Sequence, residues 1–123
     1  MAWMPEPRRG EVWQVDLEPV RGSETGKSRP AVVISDEQLG RLGTRLVVPI
    51  TGWKPAYTNY VWMTPLEPTA QNGLTKPSAA DALQLRVASV ERFTARLGTL
   101  PAEDVDEIAA SIGICIRLEP TSL

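Results

Sequence analysis

The chain contains no histidine. That absence removes a paired-imidazole acid/base centre, a serine or cysteine nucleophile activated by histidine, and a histidine-ligated zinc. Any chemistry must come from carboxylates, Arg, Lys, Thr, Ser or Tyr. Cysteine is nearly as scarce: Cys115 stands alone, so no intramolecular disulfide can form. It lies in the run Ile112-Gly113-Ile114-Cys115-Ile116, which predicts a buried, inert thiol. Long hydrophobic runs are missing as well. No stretch has the length of a membrane-spanning helix, and Met1 to Gly10 lacks the apolar centre of a secretory signal. A cytoplasmic protein without membrane contact is expected. Nor is there a surplus of positive charge, since 13 Lys and Arg stand against 15 Asp and Glu for a net charge of −2. A generally basic coat for nucleic acid is excluded, so any such binding must rest on a local cluster.

What is present suits a folded chain. Hydrophobic residues make up 42% and charged residues 23% of 123 positions, close to the globular norm. That length predicts one domain over residues 1–123. A core this small gains readily from docking a second copy.

Strand patterns dominate the first half. In Glu11-Val12-Trp13-Gln14-Val15-Asp16-Leu17, Val12 shares a face with Gln14, and Trp13 with Val15 and Leu17. Glu18 to Ser28, with Gly22 and Gly26, reads as a loop. Ala31-Val32-Val33-Ile34 predicts a strand covered on both faces, and Leu46 to Ile50 another, with Pro49 placing it at an edge or near its end. A second loop over Gly52 to Thr58 precedes a strand at Tyr60 to Thr64. Pro65 to Pro77 is turn-rich, with Asn72-Gly73 its sharpest signal. Ala79 to Leu85 is read as a strand on context, Ala88 to Arg92 as a short helical turn, and Thr94 to Leu100 as a last strand. Trp13, Trp62 and Phe93 are expected in the core.

One helix closes the chain. Pro101 suits its start, and Glu103, Asp104, Asp106 and Glu107 favour the positive end of its dipole. Val105, Ile108, Ile112 and Ile116 fall on one face, and Arg117 complements the far end. Together these elements predict a mainly β fold: a curved antiparallel sheet or small, partly open barrel with a C-terminal helix against it.

Basic residues gather in the first loop and its flank: Arg21, Lys27 and Arg29, with Glu24 among them. On its own such a cluster is a solvated loop. The surrounding order of residues says more. Arg9-Gly10-Glu11-Val12-Trp13 leads to Asp16-Leu17, then Pro19-Val20-Arg21-Gly22-Ser23-Glu24, then Arg29-Pro30-Ala31-Val32-Val33-Ile34-Ser35. This succession resembles the opening of the MazF/PemK toxins. The likeness continues through Val48-Pro49-Ile50-Thr51, Asn72-Gly73-Leu74 and Gln84-Leu85-Arg86, so it covers nearly the whole chain.

The resemblance implies an SH3-like, partly open barrel that forms a two-fold homodimer. It implies the toxin of a type II toxin–antitoxin pair, an endoribonuclease cutting single-stranded RNA at short motifs. The 2′-hydroxyl would attack, with no metal and no cofactor. A MazE-like antitoxin would block the RNA groove with an acidic tail. The family's functional arginine falls on Arg29, its functional threonine on Thr51, and the loop acid on Glu24. Ser23, Lys27, Gln84 and Arg86 are expected to contact the RNA around them. One departure stands out: where some members place an acid/base aspartate before the glutamine, this chain has Leu83 before Gln84. Asp81, two residues earlier, would keep the same face on a strand, which leaves the carboxylate role open between Glu24 and Asp81.

Cutting RNA through its own hydroxyl requires a proton acceptor, stabilisation of the phosphorane's added charge, and a proton for the leaving 5′-oxygen. The planar fork of Arg29 matches two phosphate oxygens, but arginine cannot readily give up its proton. The Thr51 hydroxyl can donate to a phosphate oxygen or relay a proton. Against these roles, Arg29 could pair with Glu24 or Glu11, and Thr51 could bond the backbone at a strand end. Trp53, Lys54 and Tyr57 offer stacking faces and a phosphate contact, though loop aromatics serve equally as dimer or core contacts. An alternative reading on the same fold is a non-enzymatic binder such as a CcdB-type gyrase poison. Such a poison has no use for the Arg29–Thr51 pair.

Overall fold

The structure is a computed structural model that describes residues 5–19, 21–39 and 42–118. Val20 of the matched succession and the first four residues lie outside them. Among the described residues seven strands and one helix follow in order: β1 (Glu11–Asp16), β2 (Ser28–Val33), β3 (Thr44–Gly52), β4 (Met63–Leu66), β5 (Ser78–Asp81), β6 (Arg86–Ser89), β7 (Phe93–Thr99) and α1 (Ala102–Cys115). All pairings are antiparallel and run β4–β5–β3–β2–β1–β7, with β6 also on β3. No ladder joins β4 to β7 among the described residues, so the sheet curves without closing. Two register shifts between β1 and β7, at Val12/Trp13 and Gln14/Val15, sharpen that curvature.

The period-two pattern sorts the core into two groups. Val12, Val32, Val48 and Ile50 turn to one face, where Val105 and Ile108 of α1 cover them. Trp13, Val15, Leu17, Ala31, Val33, Val47 and Phe93 turn to the other. The expected doubly covered strand is therefore found in β2, whose Ala31, Val32 and Val33 are all fully buried.

Pro49 departs from expectation. It lies inside a nine-residue strand with partners on both sides, not at an edge or end. The explanation is a change of partner. One edge of β3 pairs with β6 from Thr44 to Val47 and with β5 from Ile50 to Gly52. The two residues between, Val48 and Pro49, face the gap, where a missing N–H disrupts no ladder. Pro65 is tolerated differently, since β4 is a terminal strand of the sheet.

Other boundaries shift. The strand expected at Tyr60 to Thr64 is β4, displaced to Met63–Leu66, because Pro55–Asn59 forms a 3-10 turn in the preceding loop. The strand expected over Ala79 to Leu85 stops at Asp81, whose carboxylate caps a 3-10 turn over Ala82–Gln84. Asp81 and Leu83 thus do not share a strand face. Ala88 belongs to β6, and only Val90–Arg92 makes the helical turn.

The helix also ends sooner than its apolar stripe. Arg117 takes a left-handed φ of 57°, its N–H donates to the Ile114 carbonyl at 3.2 Å, and the Leu118 N–H donates to Gly113 at 2.8 Å. This closing loop ends the helix at Cys115. Ile116 is consequently exposed rather than on the buried stripe, and the thiol of Cys115 is exposed, not buried.

Candidate active site

The β2–β3 ladder is short. It joins Ala31 to Pro49, Val32 to Val48 and Val33 to Val47, then stops. Carried further, the same register would set Arg29 across from Thr51. There β2 keeps only β1 on its other edge, Arg29 beside Val15, while β3 keeps only β5 on its other edge, Thr51 beside Ala79. The strands part, and a cleft of about 440 Å³ opens between them. Lys27, Ser28 and Arg29 line one wall; Thr51, Gly52 and the turn from Gly73 to Lys76 line the other. Both candidate residues are half-buried on strands, so their backbones are held while their side chains reach solvent.

Neither alternative suggested for this pair applies. Among the described residues Arg29 makes one hydrogen bond, from Nε to the Gly26 carbonyl at 3.2 Å, which leaves both terminal nitrogens of the fork without a partner there. Glu11 is engaged by Arg96 at 3.3 Å and by the Trp13 ring nitrogen at 3.0 Å. Glu24 accepts from the Arg21 amide. The Thr51 hydroxyl likewise has no hydrogen-bond partner among the described residues. A guanidinium and a free hydroxyl therefore share a cleft that no carboxylate lines.

The other candidates lie around this pair. Lys27 lines the cleft, with φ at 63° and its amide donating to Glu18 at 2.6 Å. Ser23 and Glu24 border a separate pocket with Thr25 and the segment from Leu83 to Val87. The structure thus does not bring Glu24 to Arg29 and Thr51 within one chain. Gln84 is tied to the first loop: its Oε1 accepts from the Thr25 amide at 3.0 Å, and its Nε2 donates to the Ser23 carbonyl. Arg86 donates to the Leu17 carbonyl at 2.9 Å. These two side chains brace the loop from behind and do not line the cleft.

Trp53, Tyr57 and Tyr60 form a ladder of rings, 5.8 and 5.9 Å apart, continued by Trp62 stacked on Tyr60 at 4.7 Å. Trp62 therefore joins this half-exposed ladder instead of the core, because it precedes β4 and does not lie within it. Trp53, Tyr57 and Tyr60 line a pocket of about 560 Å³ that shares Ser78 with the cleft. Lys54 is exposed beside Trp53. Lys76 also lines the cleft, yet it carries no pattern in the turn-rich segment that would single it out.

Asp81 is half-buried, and burial raises its carboxyl above the ordinary carboxylate range, against the opposing pull of the Leu83 and Gln84 amides. The folded state therefore disfavours its charged form. Asp81→Asn, which keeps an acceptor for Leu83, should melt slightly above the parent at pH 7. The difference should fade as pH falls through the carboxyl's range, where the parent is neutral too. A melting series over pH 3–7 checks this, and a gap that widened towards acid would contradict it.

The family model described as "PemK-like, MazF-like toxin of type II toxin-antitoxin system" matches residues 8–116. The chain belongs to this family. Among curated relatives, the endoribonuclease MazF9 of Mycobacterium tuberculosis is 32% identical over 114 residues, covering 90% of this chain and 97% of that protein. Among solved structures, MazF from Deinococcus radiodurans superposes with a TM-score of 0.77 at 22% identity, over 95% of this chain and 100% of that one. An endoribonuclease in complex with its cognate antitoxin, from a mycobacterial species, gives 0.73 at 16% identity over 94% and 99%. The open seven-stranded sheet with its terminal helix is thus the fold of the PemK/MazF toxins. Among the described residues no helix is long and apolar enough to cross a membrane.

Proposed function

We propose that this chain is a sequence-specific endoribonuclease, the toxin of a type II pair, and that it cuts single-stranded RNA in the cleft where β2 and β3 part. The observation that carries the reading is the unpaired Arg29 fork facing the free Thr51 hydroxyl in a cleft without carboxylates. A polyanion enters such a cleft readily, and its backbone charge rises further in the phosphorane. Arg29 takes two phosphate oxygens, Thr51 donates to a third position, and the RNA's own 2′-hydroxyl attacks. Lys27 adds a phosphate contact. Trp53 and Tyr57 supply stacking faces for bases leaving the cleft, with Lys54 on the flanking phosphate. MazF9, similar over nearly its full length, bears the name endoribonuclease, which supports this reading over a gyrase poison.

The partners follow from the same surfaces. The antitoxin-bound mycobacterial structure supports a cognate antitoxin, and an acidic tail suits the charge of the cleft. A homodimer is supported by Leu46 and Val87, directly opposite across β3 and β6 and both exposed. The match over residues 8–116 supports one toxin domain over 1–123, acting in the cytoplasm where its RNA is found.

Cleavage should persist in EDTA and leave a 2′,3′-cyclic phosphate with a free 5′-hydroxyl. The chain has no histidine, and among the described residues no three Cys, Asp or Glu groups gather as a metal-binding set. Mass spectrometry of fragments from a long RNA checks the ends and yields the motif. Ends bearing 5′-phosphate, or activity lost in chelator and restored by magnesium, would overturn this chemistry.

A further inference from the structure

Lys76 lies across the β3 backbone of its own wall. Its Cε and Nζ come within 3.2 Å of the point where a Cβ on Gly52 would sit, so the missing side chain is what lets the ammonium lie against the β3 backbone in the cleft that Thr51 also lines. That ammonium has no hydrogen-bond or ion-pair partner among the described residues. Arg29 and Lys27 line the facing wall, and Lys76 alone adds a cation on the Thr51 side. A guanidinium holds its protons too tightly to give one up, whereas an ammonium can donate.

We propose that Lys76 is a catalytic residue of the cleft, the general acid that protonates the leaving 5′-oxygen. This rests on the ribonuclease reading and completes it. O2′ bonds to phosphorus, the P–O5′ bond breaks, and O5′ takes both the electron pair and a proton from Nζ. Water receives the 2′-hydroxyl proton and returns one to the neutral amine, so nothing is consumed. The facing walls suit this division: Arg29 holds the phosphorane's oxygens from one side, and Lys76 meets the departing oxygen from the other.

The test uses two oligonucleotides that differ only in the bridging atom at the scissile phosphate, 5′-oxygen or 5′-sulfur. A thiolate departs without a proton. Lys76→Ala should slow the oxygen substrate about a hundredfold or more, the usual worth of a general acid, yet cut the sulfur substrate close to the parent rate. Lys76→Arg should stay slow on oxygen, since it restores charge without a usable proton. Gly52→Ala, which pushes the ammonium aside without removing it, should show the same selective loss in a smaller degree. Arg29→Ala should be slow on both. Equal loss on both substrates would make Lys76 a phosphate contact and overturn the proposal, as would no loss on either. A parent protein that cuts neither substrate would instead bring down the ribonuclease reading and this step with it. Melting curves of each variant separate any loss of fold.

Discussion

Arg29→Ala should cut RNA about a hundredfold more slowly than the parent, since one well-placed donor on developing charge contributes about 3 kcal/mol to the rate. Its stability should fall by no more than about 1 kcal/mol, the worth of the single bond from Nε to Gly26. The split between rate and stability follows from position. Arg29 sits on β2 beyond the reach of β3, with its backbone secured by β1 and its fork in the cleft. Arg29→Lys should recover only part of the rate, because an ammonium keeps the charge and loses the two-pronged geometry. Thr51→Ala should fall in the range of Arg29→Ala, while Thr51→Ser should keep most activity through its hydroxyl. Initial rates on a fluorogenic oligonucleotide, beside thermal melting, decide the matter. Near-parental cutting by Arg29→Ala would remove the cleft as the active site; early melting would make Arg29 structural.

Gly98→Ala and Gly73→Ala should each destabilise the protein by about 3 kcal/mol or more, as expected for overpacking against atoms that cannot move aside. A Cβ on Gly98 would fall on the carbonyls of Gln71 and Asn72, and one on Gly73 on the carbonyl of Leu97. In both cases the obstacle is backbone. Gly73 carries the added strain of a φ of 70°. Gly22 provides the control: its φ is 57° but nothing lies within 4 Å of a Cβ, so Gly22→Ala should lose only about 1 kcal/mol. Denaturant melts of the three variants compare close approach with backbone strain, and equal losses at all three positions would refute the packing argument. Because the turn from Gly73 to Lys76 forms a cleft wall, the first two variants should also lose activity.

The sequence disclosed what depends on local pattern. Alternation in Glu11 to Leu17 assigned Val12 and Trp13 to opposite faces, and the β-branched run after Pro30 announced a buried strand. The settings of Pro49 and Trp62 were not legible, because the first depends on where distant strands end and the second on β4 starting one residue later, at Met63. Pro49 is tolerated only because β5 and β6 divide one edge of β3, a fact of pairing with strands far along the chain. Cys115 was misplaced because an apolar run cannot reveal that Arg117 will turn left-handed and stop the helix. The candidate site was partly legible in the same sense. Arg29 and Thr51 stood in recognisable runs, but Lys76 did not, since its meaning comes from the bare backbone of Gly52. Gln84 and Arg86 were recognisable too, yet Gln84 is tied to Thr25 in the first loop and Arg86 to Leu17 just before it, which no spacing rule would show.

The branching of β3 has a consequence for how this molecule can fail. One strand carries Thr51 and Gly52 and serves as the shared neighbour of β2, β5 and β6. Peeling β5 away dismantles the Lys76 wall, and peeling β2 away removes Arg29. Loss of β3 separates the β2–β1–β7 part of the sheet from the β4–β5 part and from β6. No form that has lost β2, β3 or β5 can retain the cleft, so losing any one of these three strands ends cutting. A copy damaged in any of them is therefore a silent one.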